Sequence, residues 1–231
     1  MTSRSREALP SDPDAGQPSR LLGRGYQGAA YLRDTAAGQM IVKTATGNRI
    51  LRAARRAMLR REHGIYQRLQ GIAGIPRCAG LERGEDLLLE YIEGQSLRDA
   101  VLLPPERERF FAALLELIQA IHRAGVAHGD LKRKDNILVG PDHLPYLIDF
   151  GTAVSSPEGA GFLRRFLFRQ LRRMDLNAWV KLKYQRQRIE MDPVDLQFHR
   201  PTVAERGARV VRRVWRKVTA RRWRKAGRSS G

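Results

Sequence analysis

His128-Gly129-Asp130-Leu131-Lys132, followed by Asp135-Asn136-Ile137-Leu138-Val139 and then by Leu147-Ile148-Asp149-Phe150-Gly151, decides the reading of this chain. The three stretches place two carboxylates, a carboxamide and a lysine on two loops separated by short apolar strands. Transfer of a phosphoryl group from a metal-bound nucleotide needs this set: a carboxylate to orient the acceptor hydroxyl, and oxygen ligands for magnesium. Each polar residue alone could be an ordinary turn former, since Asp and Asn are common in turns. Their joint order, with apolar strands at 137–139 and 146–148, argues for chemistry.

The pair of loops resembles the catalytic loop and metal-binding loop of the protein-kinase-like superfamily. That resemblance implies ATP and Mg2+ as cofactors. It implies an α+β, two-lobed fold, with a small antiparallel-sheet N-lobe and a truncated helical C-lobe. Asp130 takes the place of the aspartate that positions the attacking hydroxyl and accepts its proton, and Lys132 would neutralise the migrating phosphoryl group. Asn136 and Asp149 would be the magnesium ligands, with Leu138 beneath the adenine ring, where an ordinary core role is equally compatible. The interval from Asp130 to Asn136 is one residue longer than the family pattern, which would put Asp135 in the asparagine's place. The interval from Asn136 to Asp149 is the usual one, so Asn136 is assigned the metal role, with Asp135 as a possible substitute ligand. Gly129 stands where most protein kinases carry arginine, which implies that an activation-loop phosphate is not the switch here.

The upstream sequence can be tested against this idea. Gly23, Gly25 and Gly28 form a G-x-G-x-x-G turn between two strand patterns. On its own such a turn reads as a hairpin needing glycine. Its position between strands disfavours a dinucleotide-binding turn, which joins a strand to a helix. The superfamily uses such a hairpin as a lid over the ATP phosphates. Lys43 closes the strand Met40-Ile41-Val42-Lys43, either as a strand-edge lysine or, by resemblance, as the lysine that contacts the α- and β-phosphates. Its carboxylate partner would be Glu62, the single acidic residue between Leu51 and Gly80. Leu87 to Gly94 reads as the strand and hinge that would receive adenine, through backbone groups around Glu90 to Ile92. Ile41, where the family usually has alanine, would tighten the adenine slot.

Length and composition bound the rest. A chain of 231 residues can bury one good core or two small lobes. Its single cysteine, Cys78, excludes an internal disulfide framework and fits a reducing compartment. Residues 1–18 are expected to be a flexible leader without the apolar core of a signal peptide. No stretch has the apolar length of a membrane span. The expectation is a cytoplasmic protein, with a kinase-like domain over 19–198 divided into lobes 19–93 and 94–198. Helical spacing is expected over 51–70 and again from Pro104, where Phe110, Phe111, Leu114, Leu115, Ile118 and Ile121 share a face. Short strands are expected at 77–81 and 87–92, and a basic amphipathic stretch over 162–188.

Only 80 residues follow Gly151, too few for the helical apparatus that docks peptides in ordinary protein kinases. Ser156-Pro157-Glu158 is similar to the tripeptide closing a kinase activation segment, but arrives too early. Short kinases with His-Gly-Asp resemble the RIO type and the bacterial lipopolysaccharide-core sugar kinases. In those families an aspartate on the next helix braces the catalytic loop, and Asp175 is the best match; an exposed aspartate relieving a basic face is the plainer alternative.

The net charge is +19, of which +11 falls within 199–231. In that tail Val211, Val214, Trp215 and Val218 keep helical spacing among arginines. Such a segment suits an anionic membrane surface, a nucleic acid, or simple packing on the lobe with a solvated basic face. Two tryptophans are few for base stacking, which disfavours nucleic acid. The expected function is ATP-dependent phosphorylation of a hydroxyl, on a lipopolysaccharide-type sugar or a protein Ser/Thr. A catalytically weak ATP-binding scaffold and a RIO-like, ribosome- or RNA-associated ATPase are the alternatives.

Overall fold

The computed structural model describes residues 20–25, 28–35, 38–156, 159–184 and 191–198. The leader, the Pro157-Glu158 pair and the basic tail at 199–231 lie outside the described residues. The chain divides into two compact units, one of residues up to 70 with 76–92, the other of 71–75 with 93 onward.

The first unit is a five-stranded antiparallel sheet with one long helix. Strands β1 (Arg20–Gly25), β2 (Gly28–Thr35), β3 (Gly38–Thr44), β4 (Cys78–Glu82) and β5 (Asp86–Glu90) lie in the order β1-β2-β3-β5-β4. The sequence explains the β1–β2 hairpin. Gly25 pairs with Gly28 across a two-residue connection, and Gly28 has φ +144°. A Cβ at Gly28 would come within 2.0 Å of the Thr44 carbonyl oxygen, so no other residue fits there. At Gly23 a Cβ would meet nothing, so the fold makes no such demand.

Helix α1 (Arg49–Leu69) starts where Asn48 Oδ1 accepts the Leu51 N–H at 3.0 Å, which satisfies one of the orphan amides of the first turn. Its buried residues, Leu59, Glu62, Ile65, Tyr66 and Leu69, follow a helical spacing and face the sheet at β4 and β5. One buried position of that stripe is a carboxylate. An Arg33–Glu82 fork, with contacts of 2.9–3.0 Å, also fastens β2 to β4.

The second unit is built on helix α2 (Pro104–Arg123) and helix α3 (Phe162–Tyr184), with small sheets around them. Strand β6 (Gln95–Ser96) pairs with β8 (Ile137–Val139), which pairs with β9 (Pro145–Leu147); β7 (Val126–Ala127) pairs with β10 (Val154–Ser155). Pro104 starts α2 with φ already set for a helix, and Glu106 Oε2 accepts the Leu103 N–H. Gly125, at φ +75°, ends it. The buried face of α2 holds Phe110, Phe111, Leu114, Leu117, Ile118, Ile121 and His122. Leu117 is buried where Leu115 was expected; its side chain lies against Gly74, which also accepts the Leu147 N–H. This explains why 71–75 belong with the second unit.

Trp179 of α3 is buried and donates its indole N–H to the Phe111 carbonyl at 2.8 Å. Arg107 donates to the carbonyls of Leu182 and Lys183 and so closes the end of α3. A short helix, α4 (Pro193–Leu196), is held by Asp195, which accepts from Lys183 Nζ and from the Tyr184 hydroxyl. No helix among the described residues is long and apolar enough to cross a membrane.

Candidate active site

In the first unit the structure joins Lys43 to Glu62. Nζ of Lys43 lies 2.7 Å from Glu62 Oε1; the Glu62 side chain is fully buried, and that of Lys43 largely so. The second carboxylate oxygen of Glu62 is buried without a hydrogen-bond partner among the described residues. Lys43 sits across from Ala30 in the β2–β3 ladder, beside the Thr44 carbonyl that Gly28 approaches. Gly23 and Gly25 lie in β1, while the tip at Tyr26-Gln27 lies outside the described residues. Glu90 ends β5; its N–H donates to the Arg77 carbonyl and its carboxylate accepts from Arg77 N. The Tyr91 N–H donates to the Gln39 carbonyl, and Ile92 ends the unit.

In the second unit Asp130, Asn136 and Asp149 are tied into one cluster. The extra residue between Asp130 and Asn136 is absorbed by two successive turns, Arg133 N to the Asp130 carbonyl and Asn136 N to the Arg133 carbonyl. The second turn is a 3-10 turn at Lys134–Asn136. It brings Asn136 back to the start of the loop, where Nδ2 donates to the Asp130 carbonyl at 3.1 Å. That bond uses the amide nitrogen and leaves Oδ1 as the group Asn136 can present. The Asn136 carbonyl in turn accepts the Ile148 N–H at 3.0 Å, one residue before Asp149. Asp135 points elsewhere: Arg98 Nη2 donates to its carboxylate at 2.6 Å, and both side chains are substantially exposed. Lys132 is exposed, and Leu138 is half-buried between buried Ile137 and Val139.

Asp149 has φ +63° and ψ +70°, a left-handed conformation that costs a non-glycine residue about 1–2 kcal/mol. Such a conformation persists only where its surroundings impose it, and here they do. His128 is wholly buried and donates Nε2–H to the Ile148 carbonyl at 3.0 Å, while its ring packs 4.8 Å from that of Phe150. With Nε2 protonated, Nδ1 is the acceptor facing the Asp130 N–H at 3.4 Å. The Thr152 hydroxyl donates to the His128 carbonyl.

Beneath the loop lies Asp175, buried in α3. Its carboxylate accepts the N–H groups of His128 (2.9 Å) and Gly129 (2.8 Å), and lies 3.0 Å from Nε2 of His122. The exposed alternative for Asp175 is therefore excluded. Gly129, at φ +82°, is the residue the bend requires; a Cβ there would press on Leu171 of the same helix. His122, Thr152 and Arg98 were not anticipated. His122 sits in the last turn of a helix read only for its apolar face. A polar residue one position past that face was the available signal.

The donor set suits magnesium. Among the described residues no group of three or more His, Cys, Asp or Glu could hold a metal. Magnesium needs no such cage: it is bound through one or two carboxylates together with substrate phosphates and water. The Asp149 carboxylate and the amide oxygen of Asn136 are hard oxygen donors of that kind.

An antiparallel sheet bearing a lysine–glutamate pair, with a separate helical unit bearing an Asp–Asn–Asp cluster, defines the protein-kinase-like fold. Comparison with known proteins agrees. The protein kinase domain family matches residues 17–166, well over half of the chain, and the chain belongs to it. It is 41% identical over 75 residues to serine/threonine-protein kinase D of Synechocystis sp., covering 32% of this chain and 15% of that protein. It is 31% identical over 148 residues to the serine/threonine-protein kinase PknH of Mycobacterium tuberculosis, covering 60% of this chain and 24% of PknH. With PknE of the same species it shares 30% identity over 166 residues, 68% of this chain and 29% of that protein. The chain thus spans less than a third of the length of these relatives. The family match ends at residue 166, before Asp175.

Proposed function

We propose that this protein is an ATP-dependent phosphotransferase that moves the γ-phosphoryl group to a hydroxyl. The observation that carries the reading is the tie between Asp130, Asn136 and Asp149 through one side-chain and one backbone hydrogen bond. Positioning is most of what this reaction asks of a protein. Asp130 aims the acceptor hydroxyl and takes its proton as the new O–P bond forms and the bond to the β-phosphate oxygen breaks, releasing ADP. Lys132 offsets charge on the group in transit. Asn136 and Asp149 would hold magnesium, which would supply positive charge to offset that of the phosphates. Lys43, oriented by Glu62, binds the α- and β-phosphates, under the hairpin of Gly23, Gly25 and Gly28. The backbone at Glu90 to Ile92 receives adenine. A buried ion pair such as Lys43–Glu62 gives little net stability, which fits retention for binding.

A Ser or Thr side chain of a protein is the acceptor that the named relatives support. A second reading, a sugar hydroxyl on a lipopolysaccharide-type glycolipid, is favoured by the path from Asp149 to α3. Only residues 150–161 intervene, which leaves little room for a peptide-docking activation segment. The same short path supports the likeness to RIO and lipopolysaccharide-core kinases. The retained set of Lys43, Glu62, Asp130, Asn136 and Asp149 weighs against a scaffold without catalysis.

The test is transfer from γ-labelled ATP by wild type and variants, offered a soluble protein extract and a membrane glycolipid extract in parallel. Asp149→Ala should abolish transfer and weaken nucleotide binding. Asp130→Ala should stop transfer while ATP still binds. Asn136→Ala should impair transfer far more than Asp135→Ala, and the reverse ranking would move the metal role to Asp135. Label entering protein or glycolipid identifies the acceptor. ATP binding without transfer to either would favour the scaffold or a RIO-like ATPase, and salt-sensitive RNA binding lost on deleting 199–231 would single out the latter.

A further inference from the structure

The N-terminal half of α3 has no role in the cluster described above, yet its surface is unusual. Phe162, Leu163, Phe166 and Leu167 are all exposed, the first two at 73% and 76%. At 100° per residue the four span an arc of about 140°, a broad apolar face. Arg165 and Arg169 border this face, and Arg172 and Arg173 follow within a turn, with no acidic residue between Phe162 and Met174. Arg164 anchors the helix start, donating Nε–H to the Ser155 carbonyl at 2.6 Å and Nη2–H to the Ser155 hydroxyl at 2.8 Å. Everything from Gly161 to Leu167 is exposed, so the element presents a projecting, basic-rimmed apolar surface.

We propose that this half of α3 is a docking surface for an anionic phospholipid bilayer, with Phe162, Leu163, Phe166 and Leu167 entering the headgroup boundary and the arginines resting on phosphates. An interfacial helix has this composition: an apolar face bordered by cations. Charge complementarity selects the occupant. The segment 199–231 carries +11 and would be repelled by the same arginines. A second copy of the chain would set arginine against arginine across a two-fold contact. A projecting surface also suits a fluid partner, which needs no matching groove.

The position has a consequence for chemistry. Leu171, one turn beyond Leu167, lies where a Cβ on Gly129 would meet it. The patch is thus about 6–14 Å along the helix axis from the catalytic loop. Docking would hold that loop close to the headgroup plane, whichever acceptor is used; only this last consequence rests on the proposed activity.

Sedimentation of the full chain with vesicles tests the proposal. The vesicles are phosphatidylcholine alone or with about a third phosphatidylglycerol, across a salt series that strips purely electrostatic binding. Wild type should bind the anionic vesicles and keep a salt-resistant fraction. The combined variant Phe162→Ser, Leu163→Ser, Phe166→Ser and Leu167→Ser should lose that fraction, with a fall in partition coefficient of about tenfold or more. Its helical content and its transfer to a soluble acceptor should match wild type, which separates failure of docking from failure of the proposed activity. Arg165→Gln with Arg169→Gln should remove the preference for anionic vesicles in part. Equal partitioning of wild type and the four-serine variant overturns the proposal. So does patch-dependent binding of polyglutamate without binding to vesicles, which would make the surface a site for an acidic protein.

Discussion

From Phe162 to Leu167, α3 turns two phenylalanines and two leucines toward solvent; from Asp175 to Leu182, the same helix is mostly buried and holds the backbone at His128 and Gly129 in place. The two halves differ in charge, with three arginines in 162–169 against one lysine and one aspartate in 175–182, but both carry large apolar residues, so apolar content does not say which is covered. What differs is the partner. The second half packs on α2 through Trp179, is closed by Arg107 and offers Asp175 to two backbone amides. The first half is fastened by Arg164 to β10, keeps Phe168 half-buried, and presents Phe162, Leu163, Phe166 and Leu167 to solvent. Burial is decided by which neighbour the fold supplies, and a helix can pass from core to surface element along its own length.

The sharpest way to break this comparison is Asp175→Ala. It would strip the buried His128 amide, the half-buried Gly129 amide and His122 of a fully buried carboxylate, at a cost of about 3–5 kcal/mol. Urea unfolding should show that loss, and phosphoryl transfer should fall with it, because His128 and Gly129 precede Asp130 directly. Asp175→Asn keeps one acceptor oxygen and should cost less. A change below about 1 kcal/mol for the alanine variant would mean the brace is not what holds the loop.

The grouping of Asp130, Asn136 and Asp149 was legible as a candidate site because these residues lie close in sequence and each type has a restricted chemical use. Asp130, Asn136 and Asp149 fall within twenty residues, with short apolar strands between them. The one ambiguity, Asp135 against Asn136, depended on how a loop absorbs one residue. What the structure adds is Arg98, 37 residues away in sequence, which donates to the Asp135 carboxylate. His122 and Thr152 escaped for the same reason: each acts through a partner that only tertiary structure brings near. The antiparallel sheet was readable from its strand patterns and its glycine hairpin. There the structure adds that Gly28 is fixed by its approach to Thr44, whereas Gly23 is not sterically constrained. The two halves of α3 could not be told apart, since periodicity records a face but not whether anything covers it.

The smallest expected effect is also the most direct measure of that last difference. The same substitution, leucine to serine, can be made at both ends of α3. Leu182 is 7% exposed and packs in the core, so Leu182→Ser should destabilise the protein by about 2–4 kcal/mol through lost burial, a cavity and a poorly satisfied hydroxyl. Leu163 is 76% exposed, and Leu163→Ser should change stability by no more than about 0.5 kcal/mol. The two variants share helix, residue type and nearly the same loss of helix propensity, so the difference between them isolates tertiary burial. Comparable losses at both positions, read from denaturant midpoints at equal slope, would mean that something covers the first half of α3 in solution. A difference of the expected size leaves Leu163 with no stabilising role in the fold, and its effect must then be sought at a surface the protein binds.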